Sequence, residues 1–350
     1  MSSVHDGDTT SDQGFGEATA DRPLTAKLAL LVKYRSFGIL SSMSTPVKHH
    51  FIPAFALKAW SNRDGNVFEM RRLANQDKVH PKWVHPNATG FQRDLYRTEG
   101  LPLGSEQHLE QEFLAPLDNL AGQALQKFLN NDLGLDETLR SAWTTYILSL
   151  IFRRPEAVRT IRQHMSNIWE KGLLIFEETY EERRGPNDPG TFDEYKAKTN
   201  PHSDSISGSN LLMKVIDNNT IGPVIFNMNW SIIPVEKSRV SLLISDCPID
   251  RPHGLSDPRA YIATPISPTR IFLAANDPRL ASVIRNLSPT SVAKSLNKLV
   301  VAQAHEFVWS QDEQQLAFVE KHIGTAPPAP VITPEQEARA LSAAMGKMQK

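Results

Sequence analysis

The stretch DETLRSAWTTYILSLIFRR, residues 136–154, carries the strongest apolar helical signal in the chain and decides its fold class. Large apolar side chains recur in it every three to four residues, which is the spacing of one face of an α-helix. They are Trp143, Tyr146, Ile147, Leu150 and Ile151. A helix this apolar needs other elements around it, so the sequence predicts a helical core centred on residues 136–154.

Helical patterns continue on both sides of this stretch. Upstream, an apolar stripe follows Ser105, a suitable N-cap, and runs to Gly134, with a kink expected at Pro116. The stripe consists of Leu109, Phe113, Leu117, Leu120, Leu125, Phe128 and Leu129. Downstream, Pro155 opens a third helix that reaches about residue 182, and a fourth is expected near residues 209–218.

Shorter β-type runs flank these helices. Residues 51–96 form a small irregular β region broken by turn residues and prolines. Runs rich in branched residues follow at 230–235, 240–245, 260–264 and 270–274, and their short connections favour one antiparallel sheet. Helices over 278–286 and 290–309 close the domain. We therefore expect an α+β fold, a helix-rich single domain with a small antiparallel sheet built from the N-terminal β segment and the late strands.

Composition places the chain among folded soluble proteins. It has 350 residues, of which 40% are hydrophobic and 22% are charged, and its formal net charge is -1. These values exclude collagen, coiled coils and wholesale disorder. The single cysteine, Cys247, excludes an internal disulfide framework and a multi-thiolate zinc site. A reducing, cytoplasmic location fits this composition.

The two ends of the chain differ from its body. Residues 1–42 begin with a polar, acidic stretch, so we expect a disordered or dispensable extension, and Met43 competes with Met1 as the functional start. The apolar part of that extension is interrupted by cations and too short to cross a bilayer, so no membrane partner is expected. Residues 43–323 form the single domain. Residues 324–350 are a proline-rich linker and a helix-prone tail.

Several short motifs occur in order between residues 43 and 310. They are His49-His50-Phe51-Ile52-Pro53, Leu95-Tyr96, Arg153-Arg154-Pro155, Ser245-Asp246-Cys247-Pro248, Thr264-Pro265-Ile266-Ser267-Pro268, and Asn297 with Val308-Trp309-Ser310. Together they resemble a bacterial family known only as domain of unknown function 4238. Cys247 departs from that pattern, because the family usually has asparagine there. The resemblance implies a shared fold and a set of residues to watch, and it brings no assigned activity.

The adjacent histidines at the start of the β region are the sharpest chemical signal. His49 could bind a divalent ion while His50 activates water, an arrangement similar to that of the ββα-metal nucleases. The alternative is structural, because neighbouring residues on a strand point to opposite faces. One imidazole would then be hydrogen-bonded in the core and the other would lie at the surface.

Four charged residues complete the candidate site. Arg153, at the end of the most apolar helix, could steady a phosphate, or it could cap its own helix. Asp246 emerges at a strand end and could ligate the metal, although an aspartate before a proline is also ordinary turn chemistry. Glu112 and Asp118 on the long acidic helix are further partners, and Glu112 is the expected third metal ligand. We expect these groups and a histidine to converge in one concave region.

These residues suggest two functions. The first is a metal-assisted phosphodiester hydrolase, nuclease-like, with Mg²⁺ or Mn²⁺ bound by His49, Asp246 and Glu112. The second is a non-enzymatic interaction or ligand-binding module in which the same side chains form a structural network. The basic, aromatic segment 43–99 could bind nucleic acid. Phosphate-loop, dinucleotide, nucleophile-elbow and zinc-helix motifs are lacking in the sequence, which disfavours those enzyme classes.

Overall fold

The computed structural model describes residues 48–73, 78–102, 104–326 and 331–333, with isolated positions beyond them. All the described residues belong to one compact unit, Leu40–Lys350. The expectations for residues 1–42, for the prolines at 327–330 and for most of the tail lie outside the described residues. Within those residues, no helix is both long and apolar enough to cross a membrane.

Helices are the commonest elements of the described chain. They are α1 (Ala54–Leu57), α2 (Ala115–Leu129), α3 (Glu137–Phe152), α4 (Pro155–Arg183), α5 (Phe192–Lys198), α6 (Ser203–Ile216), α7 (Ile221–Asn227), α8 (Leu280–Arg285), α9 (Pro289–Gln303) and α10 (Leu316–His322). A π-helix, Leu109–Leu114, runs directly into α2, and short 3₁₀ turns occur at Lys58–Trp60 and Pro86–Ala88. The first helical stretch therefore begins later than its predicted start at Ser105.

The strands form three antiparallel sheets among the described residues. They are β1 (Lys48–His50), β2 (Val67–Arg72), β3 (Val79–Val84), β4 (Phe91–Arg93), β5 (Asn229–Pro234), β6 (Ile244–Ser245), β7 (Tyr261–Ser267), β8 (Arg270–Ala275) and β9 (Phe307–Ser310). β1 pairs with β4, the second sheet has the order β3-β2-β9-β6, and the third has the order β5-β8-β7. The α+β class is confirmed, and the single expected sheet is replaced by three.

Helix α3 lies at the centre of the core, as its sequence predicts. The Asp136 side chain caps its start by accepting a hydrogen bond from the Leu139 backbone N–H. Trp143 on this helix packs edge-on against Phe128 of α2 and Phe272 of β8. The same aromatic cluster therefore joins two helices to the third sheet.

Strand β9 corrects the sequence prediction at the end of the domain. The helix expected over 290–309 ends at Gln303, and residues 307–310 instead lie between β2 and β6. The N-terminal β segment thus joins a late strand through β9. Leu242 and Leu243 lie in an irregular segment, so the strand expected over 240–245 is reduced to Ile244–Ser245. Pro81 is tolerated in β3 because β3 is the edge of its sheet.

Candidate active site

His49 is an anchor for the first β ribbon. It is fully buried in β1, and its Nδ1 accepts a hydrogen bond of 2.7 Å from the Tyr96 backbone N–H. The two rings stack almost parallel, with centroids 5.2 Å apart. One nitrogen of the predicted metal ligand is therefore committed to the backbone of the loop that follows β4.

Tyr96 ties this ribbon to the end of α3. Its hydroxyl donates a hydrogen bond of 2.7 Å to the Arg153 carbonyl and approaches the His50 carbonyl at 3.4 Å. The side chain is fully buried, and burial raises the pKa of the phenol well above its ordinary value. Tyr96 therefore stays neutral and holds His50 and Arg153 near each other.

Arg153 is a fully buried guanidinium at the C-cap of α3. Its Nη1 donates to Asp118 of α2 at 2.9 Å, and the guanidinium lies 5.4 Å from the Tyr146 ring. Burial raises the pKa of Asp118, although the neighbouring Arg153 acts in the opposite direction. The other two guanidinium nitrogens, Nε and Nη2, have no hydrogen-bond partner among the described residues.

Glu110 lies beside this ion pair. It is half-buried on the π-helix Leu109–Leu114, and its Oε2 has no hydrogen-bond partner in the described part of the chain. Burial and the nearby charge of Asp118 raise the pKa of Glu110 to about 7, while Arg153 opposes them. π-helical turns occur often at functional sites, and this one places a carboxyl group that exchanges protons near neutral pH beside a buried cation.

His50 completes the group from the side of β1. It is half-buried, and no described residue forms a hydrogen bond with its Nε2. Burial lowers the pKa of His50, the positive charges of Arg153 and Lys48 lower it as well, and a hydrogen bond with the Asn87 backbone acts in the opposite direction; together these effects bring the pKa to about 4. The imidazole is therefore neutral at pH 7.

We call His50, Tyr96, Glu110, Asp118 and Arg153 the Arg153 cluster. It combines a neutral imidazole, a carboxyl group with a pKa of about 7, and a guanidinium whose Nε and Nη2 have no hydrogen-bond partner among the described residues. A purely structural network normally satisfies its buried polar atoms. This cluster leaves polar atoms on three of its members without partners among the described residues, so its geometry is suited to binding an anion and transferring protons.

Two of the predicted site residues lie elsewhere. Asp246 caps the start of β9, where its carboxylate accepts hydrogen bonds from the backbone N–H groups of His305, Glu306 and Phe307 at 2.7 to 3.1 Å. Burial raises the pKa of Asp246 to about 6, against the effect of these bonds. Glu112 is exposed on the π-helix. Local structure explains both positions. The backbone N–H groups at the start of β9 need a hydrogen-bond acceptor, which Asp246 provides. Glu112 lies outside the buried face of its helix.

The predicted metal ligands are therefore not brought together. In the part of the chain that the structure describes, no three His, Cys, Asp or Glu side chains are grouped as a metal site requires. His49 is held by Tyr96, and Asp246 is held by the β9 backbone. The fold instead brings together His49, His50, Arg153 and Asp118.

Glu110 is the site residue that sequence reasoning missed. The acidic composition of residues 106–137 hides it among solvent-facing carboxylates. Its signal is positional, because Glu110 shares a helical stripe with the buried Leu114 and Leu117, which lie four and seven residues later. An acid on an apolar stripe is more informative than an acid in an acidic segment.

Comparison with known proteins gives one match. The family model described as Protein of unknown function (DUF4238) matches residues 48–314, well over half of the chain. The chain belongs to this family. The matched region contains every residue of the Arg153 cluster. Neither the curated proteins nor the solved structures gave a match.

The residues that resemble the DUF4238 pattern fall into two groups in the fold. His49, His50, Tyr96 and Arg153 gather at the cluster. The later ones hold the sheets together: Asn297 on α9 accepts from the Leu243 N–H and donates to the Ser241 carbonyl, and Trp309 Nε1 donates to the Thr89 hydroxyl. The first group therefore coincides with the cluster in which buried polar atoms have no partner among the described residues.

Proposed function

We propose that the Arg153 cluster is the active site of a phosphodiester hydrolase that works by acid–base catalysis. The observation that carries this proposal is the buried guanidinium of Arg153, whose Nε and Nη2 lack partners among the described residues, beside a carboxyl group with a pKa of about 7. A buried charge with free donors is costly unless an anion completes it. Guanidinium groups bind phosphate through paired N–H donors.

Each polar member has a role in this mechanism. The neutral His50 Nε2 takes a proton from the attacking hydroxyl, which is water or a neighbouring ribose hydroxyl of the substrate. The protonated Glu110 gives its proton to the leaving oxygen as the phosphorus–oxygen bond breaks. Arg153 stabilises the charge on the non-bridging oxygens. Exchange with solvent then returns the proton from His50 and restores the proton on Glu110.

A second feature favours a nucleic acid as the phosphodiester. Lys48 on β1 and Arg93 on β4 are direct cross-strand partners, and both are exposed. Like charges placed opposite each other destabilise a strand pair, and a phosphate chain laid over them would remove that repulsion. Lys48 is also close enough to lower the pKa of His50, so this basic ribbon adjoins the cluster.

The burial of Arg153 sets a structural requirement. Its side chain has no exposed surface, whereas His50, Glu110 and Asp118 are half-buried. Substrate must therefore enter along these three side chains and move them apart. Glu110 lies on the π-helix, a type of turn that occurs often at functional sites.

Two other functions compete with this proposal. A metal-assisted hydrolase would need His49, Asp246 and Glu112 around Mg²⁺ or Mn²⁺. It has less support, because His49 is bonded to the Tyr96 backbone, Asp246 is bonded to the β9 backbone and Glu112 is exposed. The interaction module is favoured by the bonds of Tyr96 to His49 and Arg153, which are structural in kind. It does not account for the unpartnered nitrogens of Arg153.

One set of assays separates the three functions. Purified protein is incubated with RNA, single-stranded DNA and plasmid in EDTA, and again with Mg²⁺ or Mn²⁺, in parallel with His50→Ala. We expect cleavage in EDTA that falls by about 10²-fold or more in the variant, the usual size of a lost general base. Cleavage only with a divalent ion would restore the metal-assisted mechanism. No cleavage under any condition would leave the interaction module.

A further inference from the structure

A cleft lies beside the α3–α4 turn, where Arg154 follows Arg153. It is a cavity of about 580 Å³ between the end of α3, the segment that follows β6 and the outer face of α9. We call it the Arg154 cleft, and it is lined by Arg154, Cys247, Ile249, Arg251, Lys298 and Leu299 among others. Its volume is typical of sites for small organic ligands. It shares no lining residue with the Arg153 cluster.

Arg154 is the fixed cation of this cleft. It is 6% exposed, its Nε donates to the Ile151 carbonyl at 3.1 Å, and its Nη1 donates to the Cys247 sulfur at 2.8 Å. Burial raises the pKa of the Cys247 thiol, so the sulfur is a neutral acceptor. Among the described residues no carboxylate forms an ion pair with Arg154, and its Nη2 has no hydrogen-bond partner.

Two further cations line the same cleft. Arg251 and Lys298 are exposed, and neither forms an ion pair with any described residue. Although Arg251 as a whole is exposed, its guanidinium is partly enclosed, and this enclosure lowers the pKa of Arg251, as does the nearby positive charge of Arg154. The acidic lining residue is Asp250, whose Oδ2 accepts a hydrogen bond from the Tyr261 hydroxyl. The cleft therefore has an excess of positive charge over a short distance.

The remaining walls are largely apolar. Leu150, Ile151, Ile249 and Leu299 contribute aliphatic side chains around the cations. An anion alone would leave this surface in contact with water, and an apolar molecule alone would leave Arg154 without a counter-charge. A ligand that carries both parts matches both features.

We infer that the Arg154 cleft binds a small amphipathic anion, an oxyanion head group on an aliphatic or aromatic body. The head group pairs with Arg154 Nη2 and with the side chains of Arg251 and Lys298. The body lies against the aliphatic wall formed by Ile151 and Leu299. A carboxylate and a phosphate monoester share this chemistry, since arginine pairs with both through two parallel hydrogen bonds.

Calorimetry on the full chain tests this inference with four probes. Octanoate and octyl phosphate carry both parts of the ligand, whereas 1-octanol lacks the charge and inorganic phosphate lacks the body. We expect one of the two amphipathic anions to bind at least about tenfold more tightly than octanol or phosphate, and the tighter of them identifies the head group.

Two variants locate the binding. The double substitution Arg251→Ala, Lys298→Ala should weaken the tighter anion by about tenfold or more. Lys294→Ala removes an exposed cation one turn away on α9 that does not line the cleft, and it should leave the affinity unchanged. Three results would overturn the inference: equal binding of octanol, an unaffected double variant, or no binding of either amphipathic anion at roughly millimolar concentration.

Discussion

At the scale of single residues, the balance of charge around Arg153 explains both stability and proposed chemistry. The guanidinium is buried, and its ion pair with Asp118 supplies the compensating charge. Its Nε and Nη2 have no hydrogen-bond partner among the described residues, and the proposed mechanism uses these N–H groups to bind the substrate. The same residue therefore links the folded core to the proposed site.

Breaking the ion pair should be strongly destabilising. Asp118→Asn leaves the buried guanidinium without its counter-charge, and we expect the free energy of unfolding to fall by about 3–5 kcal/mol. Urea denaturation measures this. Asp132→Asn is the matched control, because Asp132 pairs with Lys127 on an exposed surface, and its effect should be much smaller. Equal effects of the two substitutions would refute the account of Arg153.

The two titrating groups predict a bell-shaped dependence of kcat/KM on pH. His50 must be neutral, so activity is lost as pH falls through about 4, where the imidazole gains a proton. Glu110 must be protonated, so activity is lost as pH rises through about 7, where its carboxyl group ionises. The maximum lies between these values. Activity that rises continuously from pH 6 to pH 9 would contradict the assigned roles.

Two residues of the proposed site could be singled out from the sequence. His50 and Arg153 were recognisable because an imidazole pair and a cation at the end of an apolar helix are unusual. Glu110 was not, since its importance depends on which helical face is buried and on the burial that shifts its pKa. The role of Asp246 could not be read from the sequence, because a carboxylate at a strand end can serve a ligand or, as here, the neighbouring backbone N–H groups.

At the scale of elements, the start of β9 depends on Asp246. Its carboxylate accepts three backbone N–H groups from residues 305–307, and Asp246→Asn replaces one acceptor oxygen with a donor. We expect a loss of about 1–3 kcal/mol in the free energy of unfolding, because buried N–H groups then lack acceptors. Thermal denaturation measures this.

The same substitution separates structure from catalysis. Asp246→Asn should leave the pH dependence of cleavage unchanged, because Asp246 lies outside the Arg153 cluster. Asp312→Asn is a control, since Asp312 accepts a single exposed backbone N–H from Gln314, and its effect on stability should be smaller. An Asp246→Asn protein that is as stable as the wild type but inactive would show that Asp246 takes part in catalysis.

Elements defined by local contacts could be predicted from the sequence, and elements defined by distant contacts could not. Helix α3 was predictable because its apolar spacing and its N-cap are local features of the sequence. Strand β9 was not, because it is defined by pairing with β2, more than two hundred residues earlier. Its residues Phe307–Ser310 begin after only three intervening residues from the end of α9 at Gln303, and their apolar side chains extend the helical pattern. Pairing with β2 makes these residues a strand, although their local pattern favours a helix.

At the scale of the whole molecule, one turn contributes a residue to each of the two proposed sites. Arg153 and Arg154 are consecutive at the α3–α4 junction, yet one belongs to the Arg153 cluster and the other to the cleft beside α9. Pro155 forces a new helix to begin there, which separates the two guanidinium groups. The two proposals are independent, because their test residues do not overlap.

Shortening the chain tests the predicted extent of the domain. A protein that begins at Met43 should keep the melting temperature and protease resistance of the full chain, because the described elements begin at Lys48. Differential scanning calorimetry and limited proteolysis check this. A clear drop in melting temperature on truncation would show that residues 1–42 contribute to the fold.

Glu110→Gln tests most directly whether the Arg153 cluster is a catalytic site, as we propose, or a structural network. The cleavage rate in EDTA and the free energy of unfolding are measured on the same preparation, with Glu112→Gln as the exposed neighbouring control. We predict a rate reduced by about 10²-fold or more at unchanged or increased stability, and a control like the wild type. A Glu110→Gln protein that cleaves at the wild-type rate, or that only loses stability, would contradict the claim.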